Sequence, residues 1–162
     1  MFDPVRICEI LNEEGVRYVI GGGIATVMHG SSLSTQDIDL VPDRSDSNLS
    51  RLARALQRLN VRIRTEGESV AAKIDEQFLR NSSFMLNLVS DFGDIDIAFQ
   101  PSGPLDGYEG WKQGAIELSI GTDVTVWVAA LDDVVASKRA ANRPKDQAAL
   151  PYLESLRDQT AK

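Results

Sequence analysis

The chain has 162 residues, 43% of them hydrophobic and 25% charged, enough for one ordinary globular domain with a proper core. Its formal net charge of −7 excludes a protein that coats nucleic acid non-specifically, while leaving room for a local basic patch. No run approaches the roughly eighteen apolar residues of a membrane span, Met1-Phe2-Asp3-Pro4 lacks the pattern of a secretion signal, and the lone Cys8 has no internal disulfide partner, so a reducing cytoplasm is the expected setting.

Asp3 before Pro4 predicts a helix start, an N-cap followed by proline in the first turn. Ile7, Ile10, Leu11 and Glu14 follow at helical spacing, and Gly15 is the expected stop. Cys8 lies within that amphipathic pattern and reads as a buried thiol without a chemical role. A strand is expected over 16–20, then a turn at Gly21-Gly22-Gly23, then a short helix to Met28 closed by Gly30. A second strand follows over 37–41, ended by Pro42.

Ser47 is the expected cap of a third helix, whose Leu49, Leu52, Ala53, Leu56 and Leu59 form one apolar stripe. Arg51, Arg54 and Arg58 lie on another side, with Arg62 and Arg64 beyond in a strand. They read either as a solvated face or as a surface for an anion or RNA. Residues 66–81 show no clean period and are expected to be loop with at most a helical turn. Strands over 84–89 and 94–99 are joined by the hairpin loop Ser90-Asp91-Phe92-Gly93, and a second hairpin pairs 115–120 with 123–128 across Gly121-Thr122. A short helical turn is expected at 108–112. A helix begins at Leu131, is interrupted at Asn142-Arg143-Pro144 and resumes over 145–156, with a kink or restart at Pro151. The sum is an α/β or α+β domain spanning 1–162, a mixed sheet of about five to six strands flanked by helices. The helical segment 131–158 is expected to pack on it.

Strand alternation puts Asp37 and Asp39 on one face, roughly 6–7 Å apart at Cα, with Ile38 and Leu40 pointing into a core. Two acids side by side repel, and a divalent cation is the simplest relief. The glycine turn opening a helix just before them suits phosphate. On the later strand Asp94 and Asp96 share a face opposite Ile95, Ile97 and Phe99. If those strands are neighbours, the acids converge. Three carboxylates holding two Mg²⁺ ions is the arrangement used for in-line phosphoryl or nucleotidyl transfer.

In this order, an apolar strand ending in Gly22 and Gly23, a helix, Asp37-Ile38-Asp39 on a strand and Asp96 on a later one, the chain resembles the nucleotidyltransferase superfamily of the DNA polymerase beta type. The string G-G-I-A-x-x-x-H-G, Thr35 before D-I-D-L, and the ending K-R-A-A-N-R-P-K-D resemble small prokaryotic stand-alone members, many of them from toxin–antitoxin or phage-defence systems. The resemblance covers about residues 16 to 156. It implies that Asp37, Asp39 and Asp96 are catalytic and bind Mg²⁺. Asp96 is preferred to Asp94 because it sits mid-strand between apolar residues. Gly22 and Gly23 would face the phosphates of a nucleoside triphosphate substrate, with Ser34, Thr35 and Lys138 as further nucleotide contacts. The chain departs from its relatives at Leu33, two before the threonine, where a basic residue is common. Lys138, Arg143 and Lys145 are the alternative sources of charge, and Asp146 a pairing partner for one of them.

The implied activity is transfer of a nucleoside monophosphate to a hydroxyl of RNA (tRNA included), protein or a small molecule. The alternative is a catalytically weak or inactive antitoxin or accessory protein that acts by binding a toxin–antitoxin partner. Neither involves a membrane. The single His29 reads as a packing or hydrogen-bonding residue, Trp111 and Trp127 as core or subunit contacts, and Ser31, Ser32 and Ser34 as phosphate contacts or turn residues.

Overall fold

The computed structural model describes residues 1–83 and 85–160. The first half of the chain runs α1 (Pro4–Glu13), β1 (Tyr18–Gly21), α2 (Gly22–Met28), β2 (Asp37–Pro42), α3 (Asp46–Arg58), β3 (Arg62–Ile63) and α4 (Glu76–Asn81). The second runs β4 (Met85–Ser90), β5 (Gly93–Ala98), α5 (Gly107–Gly114), β6 (Ile116–Ile120), β7 (Val124–Val128), α6 (Leu131–Ala141) and α7 (Pro144–Thr160). The expected strand over 84–89 thus begins at Met85, and its first residue, Phe84, lies outside the described residues.

Seven strands form one mixed sheet in the order β3-β4-β5-β2-β1-β7-β6, more than the five to six expected. The strand expected around Arg62 and Arg64 is β3, only two residues long, which pairs Arg62 with Val89 and Ile63 with Leu88. Arg64 falls just beyond its end. The central β2 runs antiparallel to β1 and parallel to β5. That parallel neighbour brings the two acidic strands side by side.

Alternation along these strands separates two environments. Ile38, Leu40, Ile95, Ile97 and Leu88 are all at most 1% exposed. The stripes of α1 and α3 (Ile7, Leu11, Leu49, Leu52, Leu56) join them in the main core. The intervening residues Asp37, Asp39 and Asp96 look the other way, towards the side where α2, α6 and α7 gather.

Local signals explain the helix ends. The Asp3 carboxylate accepts from Arg6 N at 3.0 Å and Pro4 opens α1. Gly15 after α1 has φ +73°, a left-handed conformation that favours glycine. Ser45, rather than Ser47, precedes the first turn of α3, two residues earlier than expected. Within the expected loop, Asp75 caps α4 by accepting from Phe78 N at 2.9 Å. The helical turn expected at 108–112 is the longer α5. Pro151 does not interrupt α7, which runs through it; the proline is exposed, so water can serve the carbonyl left without a donor.

Candidate active site

The sheet register assembles the site. Gly21 stands beside Asp39 across β1 and β2, Asp39 beside Asp96 across β2 and β5, and Asp96 beside Asn87 across β5 and β4. A glycine, two acids and an amide therefore form one row across four strands. Asp37 is placed one row over, beside Asp94.

The glycines are required by close approach. Gly22 has φ +55°, and a Cβ there would stand 2.0 Å from Asp39 Oδ2. A Cβ on Gly23 would meet Thr35 Oγ1 at 2.7 Å. Any side chain at these positions would push the turn away from the acids. Thr35 in turn donates from Oγ1 to the Asp37 carbonyl at 3.2 Å and lies 3.4 Å from Asp37 Oδ1, tying the loop before β2 to its first acid.

A cleft of about 480 Å³ opens over this row. Its walls include Gly22, Gly23, Ser34 and Thr35 from the turn and loop, the three acids Asp37, Asp39 and Asp96, and Lys138 of α6. All eight residues singled out in the sequence thus border one cavity. Leu33 also lines it, 41% exposed.

The acids repel one another in a half-buried setting. Burial, with the charges of Asp37 and Asp96, pushes the Asp39 carboxyl up to about 6, against the pull of Lys138 and Lys145. Burial also raises Asp96, while the Arg64 guanidinium pulls it back. Arg64 is the residue that sequence reasoning missed here. It ion-pairs with Asp96 and lies 3.4 Å from Asp94. Only folding of β3 beside β4 brings it within reach.

The cations of the C-terminal segment divide into two kinds. Arg143 is held by Asp146 through Nε at 2.7 Å and Nη2 at 3.2 Å, and Lys138 Nζ stands 3.7 Å from the same carboxylate. Asp146 therefore pairs with both residues rather than one. Lys145 lines the cleft and makes no ion pair among the described residues. It is the free positive charge on a wall where Leu33 offers none.

Among the described residues, no three acid, histidine or cysteine side chains stand in a ready arrangement for a metal ion. The donor chemistry nonetheless fits a hard divalent cation. Carboxylate oxygens are its preferred ligands, and the charge of Asp37 helps to raise the Asp96 carboxyl. The competitor for Asp96 is Arg64.

Other expectations are placed elsewhere. His29 caps α2 and donates from Nε2 to the Ala129 carbonyl at 2.8 Å. Ser31 Oγ accepts from Leu33 N at 3.1 Å, and Ser32 N donates to the Tyr152 hydroxyl at 3.0 Å. Those two serines stabilise the loop, and only Ser34 borders the cleft. In the arginine stripe, Arg54 pairs with Glu14 at 3.4 Å and Arg58 with Glu13 at 2.6 Å. That face docks α3 against the end of α1 and lies apart from the cleft. Cys8 is buried, its thiol pushed up to about 12 by burial. No helix among the described residues is long and apolar enough to cross a membrane.

A glycine turn packed against paired strand acids in the middle of a mixed sheet defines a nucleotidyltransferase-type protein. Residues 6–152 match the family described as nucleotidyltransferase of unknown function (DUF6036), and the chain belongs to that family. No curated protein matches it. Among solved structures it is similar to that of a "putative nucleotidyltransferase" from Thermotoga maritima, with 14% identity, a TM-score of 0.53, and coverage of 99% of this chain and 96% of that one. At that identity the likeness shows the fold.

Proposed function

We propose that the chain is a Mg²⁺-dependent nucleotidyltransferase that moves a nucleoside monophosphate from a nucleoside triphosphate to a hydroxyl of RNA, protein or a small molecule. The observation that carries this reading is the shared cleft, in which the glycine turn, Asp37, Asp39, Asp96 and the free Lys145 face one another. Gly22 and Gly23 let a polyphosphate approach the backbone, and Lys145 and Lys138 offset its charge. Asp37, Asp39 and Asp96 would hold the cation, which when bound acidifies the attacking hydroxyl and steadies the leaving pyrophosphate. The hydroxyl gives up its proton beside Asp96. Its oxygen then bonds to the α-phosphorus as the bond to the bridging oxygen breaks and pyrophosphate departs.

Incubation with Mg²⁺ and each labelled nucleoside triphosphate tests this reading. Label transfer by the natural chain and none by Asp39→Ala is expected. Equal transfer by both would sink the assignment.

A second reading draws on Arg64. With its guanidinium on Asp96, the chain would act as a cytoplasmic prokaryotic binding protein, an antitoxin or accessory subunit of a toxin–antitoxin or phage-defence pair. The third acid would then be permanently neutralised. On this reading the chain co-purifies with a product encoded next to it and shows no Mg²⁺-induced rise in Tm, while Arg64→Met gains one. A Mg²⁺ response already present in the natural chain would count against it.

A further inference from the structure

A second chamber, of about 250 Å³, adjoins the acid cleft and shares Gly22, Asp39, Lys138 and Arg143 with it. Its character differs. Beyond the shared rim it is walled by Val41 and Ala98 of the sheet, Trp111 of α5, and Val134 and Ser137 of α6. The same strand faces that present Asp39 and Asp96 continue, two residues on, as Val41 and Ala98. The site thus changes from acidic to apolar along one direction.

The chamber is smaller than the roughly 300–1,000 Å³ typical of a pocket that takes a whole ligand. It therefore suits one end of a molecule whose other, anionic end lies in the neighbouring cleft beside Lys138 and Lys145. Its volume excludes a folded protein or RNA acceptor. Trp111, 3% exposed, contributes an indole whose Nε1 is buried without a hydrogen-bond partner among the described residues. Buried indole donors normally find one. A flat ring fills such apolar walls well.

We propose that this chamber is the nucleobase subsite of the nucleotide, with Ala98 and Ser137 setting its depth and Trp111 forming one apolar wall. The inference rests on the nucleotidyltransferase reading, since it takes the acid cleft as the polyphosphate site. Base and polyphosphate then occupy separate compartments joined at Gly22 and Lys138, so the two halves of the ligand can be tested apart.

The experiment measures binding of each of the four nucleoside triphosphates and of inorganic tripolyphosphate, all with Mg²⁺, by calorimetry. The chains are the natural protein, Ala98→Leu, Ser137→Leu and Trp111→Phe. Each leucine fills the chamber from a different wall, and retained tripolyphosphate binding certifies that the variant is folded. The expected result is at least a tenfold loss of nucleoside triphosphate affinity in both leucine variants, with tripolyphosphate affinity unchanged. Trp111→Phe, which trims that wall, is expected to lose several-fold for the triphosphate it binds best. Leucine variants that bind both ligands like the natural chain, or that both lose both ligands, would overturn the chamber assignment. A natural chain that binds neither ligand would instead overturn the nucleotide reading beneath it.

Discussion

Two groups of buried or half-buried acids lie close together in this molecule and are treated in opposite ways. Asp146, at the start of α7, is fully buried. Burial alone would raise its carboxyl, but the hydrogen bonds and charge of Arg143, with Lys138 behind, hold it below the usual range. Asp39 and Asp96 are raised, because burial and mutual repulsion outweigh the cations within reach. One acid is built to be satisfied by the fold. The other pair stays short of positive charge, and that shortage is what a bound cation would remedy.

The sharpest way to break the contrast is to remove each acid and compare the signs. Asp146→Ala is expected to lower stability by about 2–4 kcal/mol in urea unfolding at pH 7. It deletes three charge-assisted hydrogen bonds and strands two cations, one of them largely buried. Because folding depresses the Asp146 pKa, that contribution is present above the ordinary carboxylate range and fades as pH falls through the folded value. A neutral result would show that this acid is as dispensable as a surface residue.

Asp39→Asn should go the other way, raising stability of the cation-free chain by about 1–3 kcal/mol at pH 7. Folding raises this pKa from 3.8 to about 6, so the folded chain holds the proton more tightly. The stabilisation from that proton is full below about 3.8 and lost as pH rises through about 6. The advantage of the asparagine variant should therefore shrink as unfolding is measured from pH 7 down to pH 4. A constant gap would mean that ionised Asp39 carries no penalty in the fold.

Adding Mg²⁺ at ten times its Kd should stabilise the natural chain by about 1.4 kcal/mol. Thermal unfolding should show this as a Tm rise of a few degrees that is absent in Asp39→Asn and kept in Asp146→Asn. A rise in all three would place the cation somewhere other than the paired acids. Smallest of all, Arg54→Ala should cost only a few tenths of a kcal/mol, since its pair with Glu14 is solvent-exposed and 3.4 Å long. A larger loss in urea unfolding would show that the α1–α3 junction depends on that charge.

Much of the site was legible before folding, because the relevant signals are local. Gly21-Gly22-Gly23 before a short helix, and acids at i and i+2 flanked by Ile38 and Leu40, need no more than a few residues to be read. Asp96 is preferred to Asp94 because it sits mid-strand between Ile95 and Ile97, as the resembled family's acid does, and the register sets it directly beside Asp39. The bounds of the two-residue β3, expected only as a strand somewhere around Arg62 and Arg64, and of the helix capped by Asp75, expected only as a turn, were not legible for the converse reason. Neither is long enough to display a period.

By itself, then, the sequence determined the order of elements around the glycine turn and the face on which each acid stands. Those follow from backbone periodicity and steric rules within a dozen residues. Only the tertiary structure decided which charges meet. Arg64 reaches Asp96 across 32 positions of chain, Asp146 takes both Lys138 and Arg143, and Lys145 is left at the cleft without an ion pair among the described residues. The apolar chamber beside Trp111 likewise exists only where α5 and α6 close over the far end of the acidic strands. Partners and cavities of this kind depend on which long-range contacts the whole core makes most stable, and no local pattern encodes them.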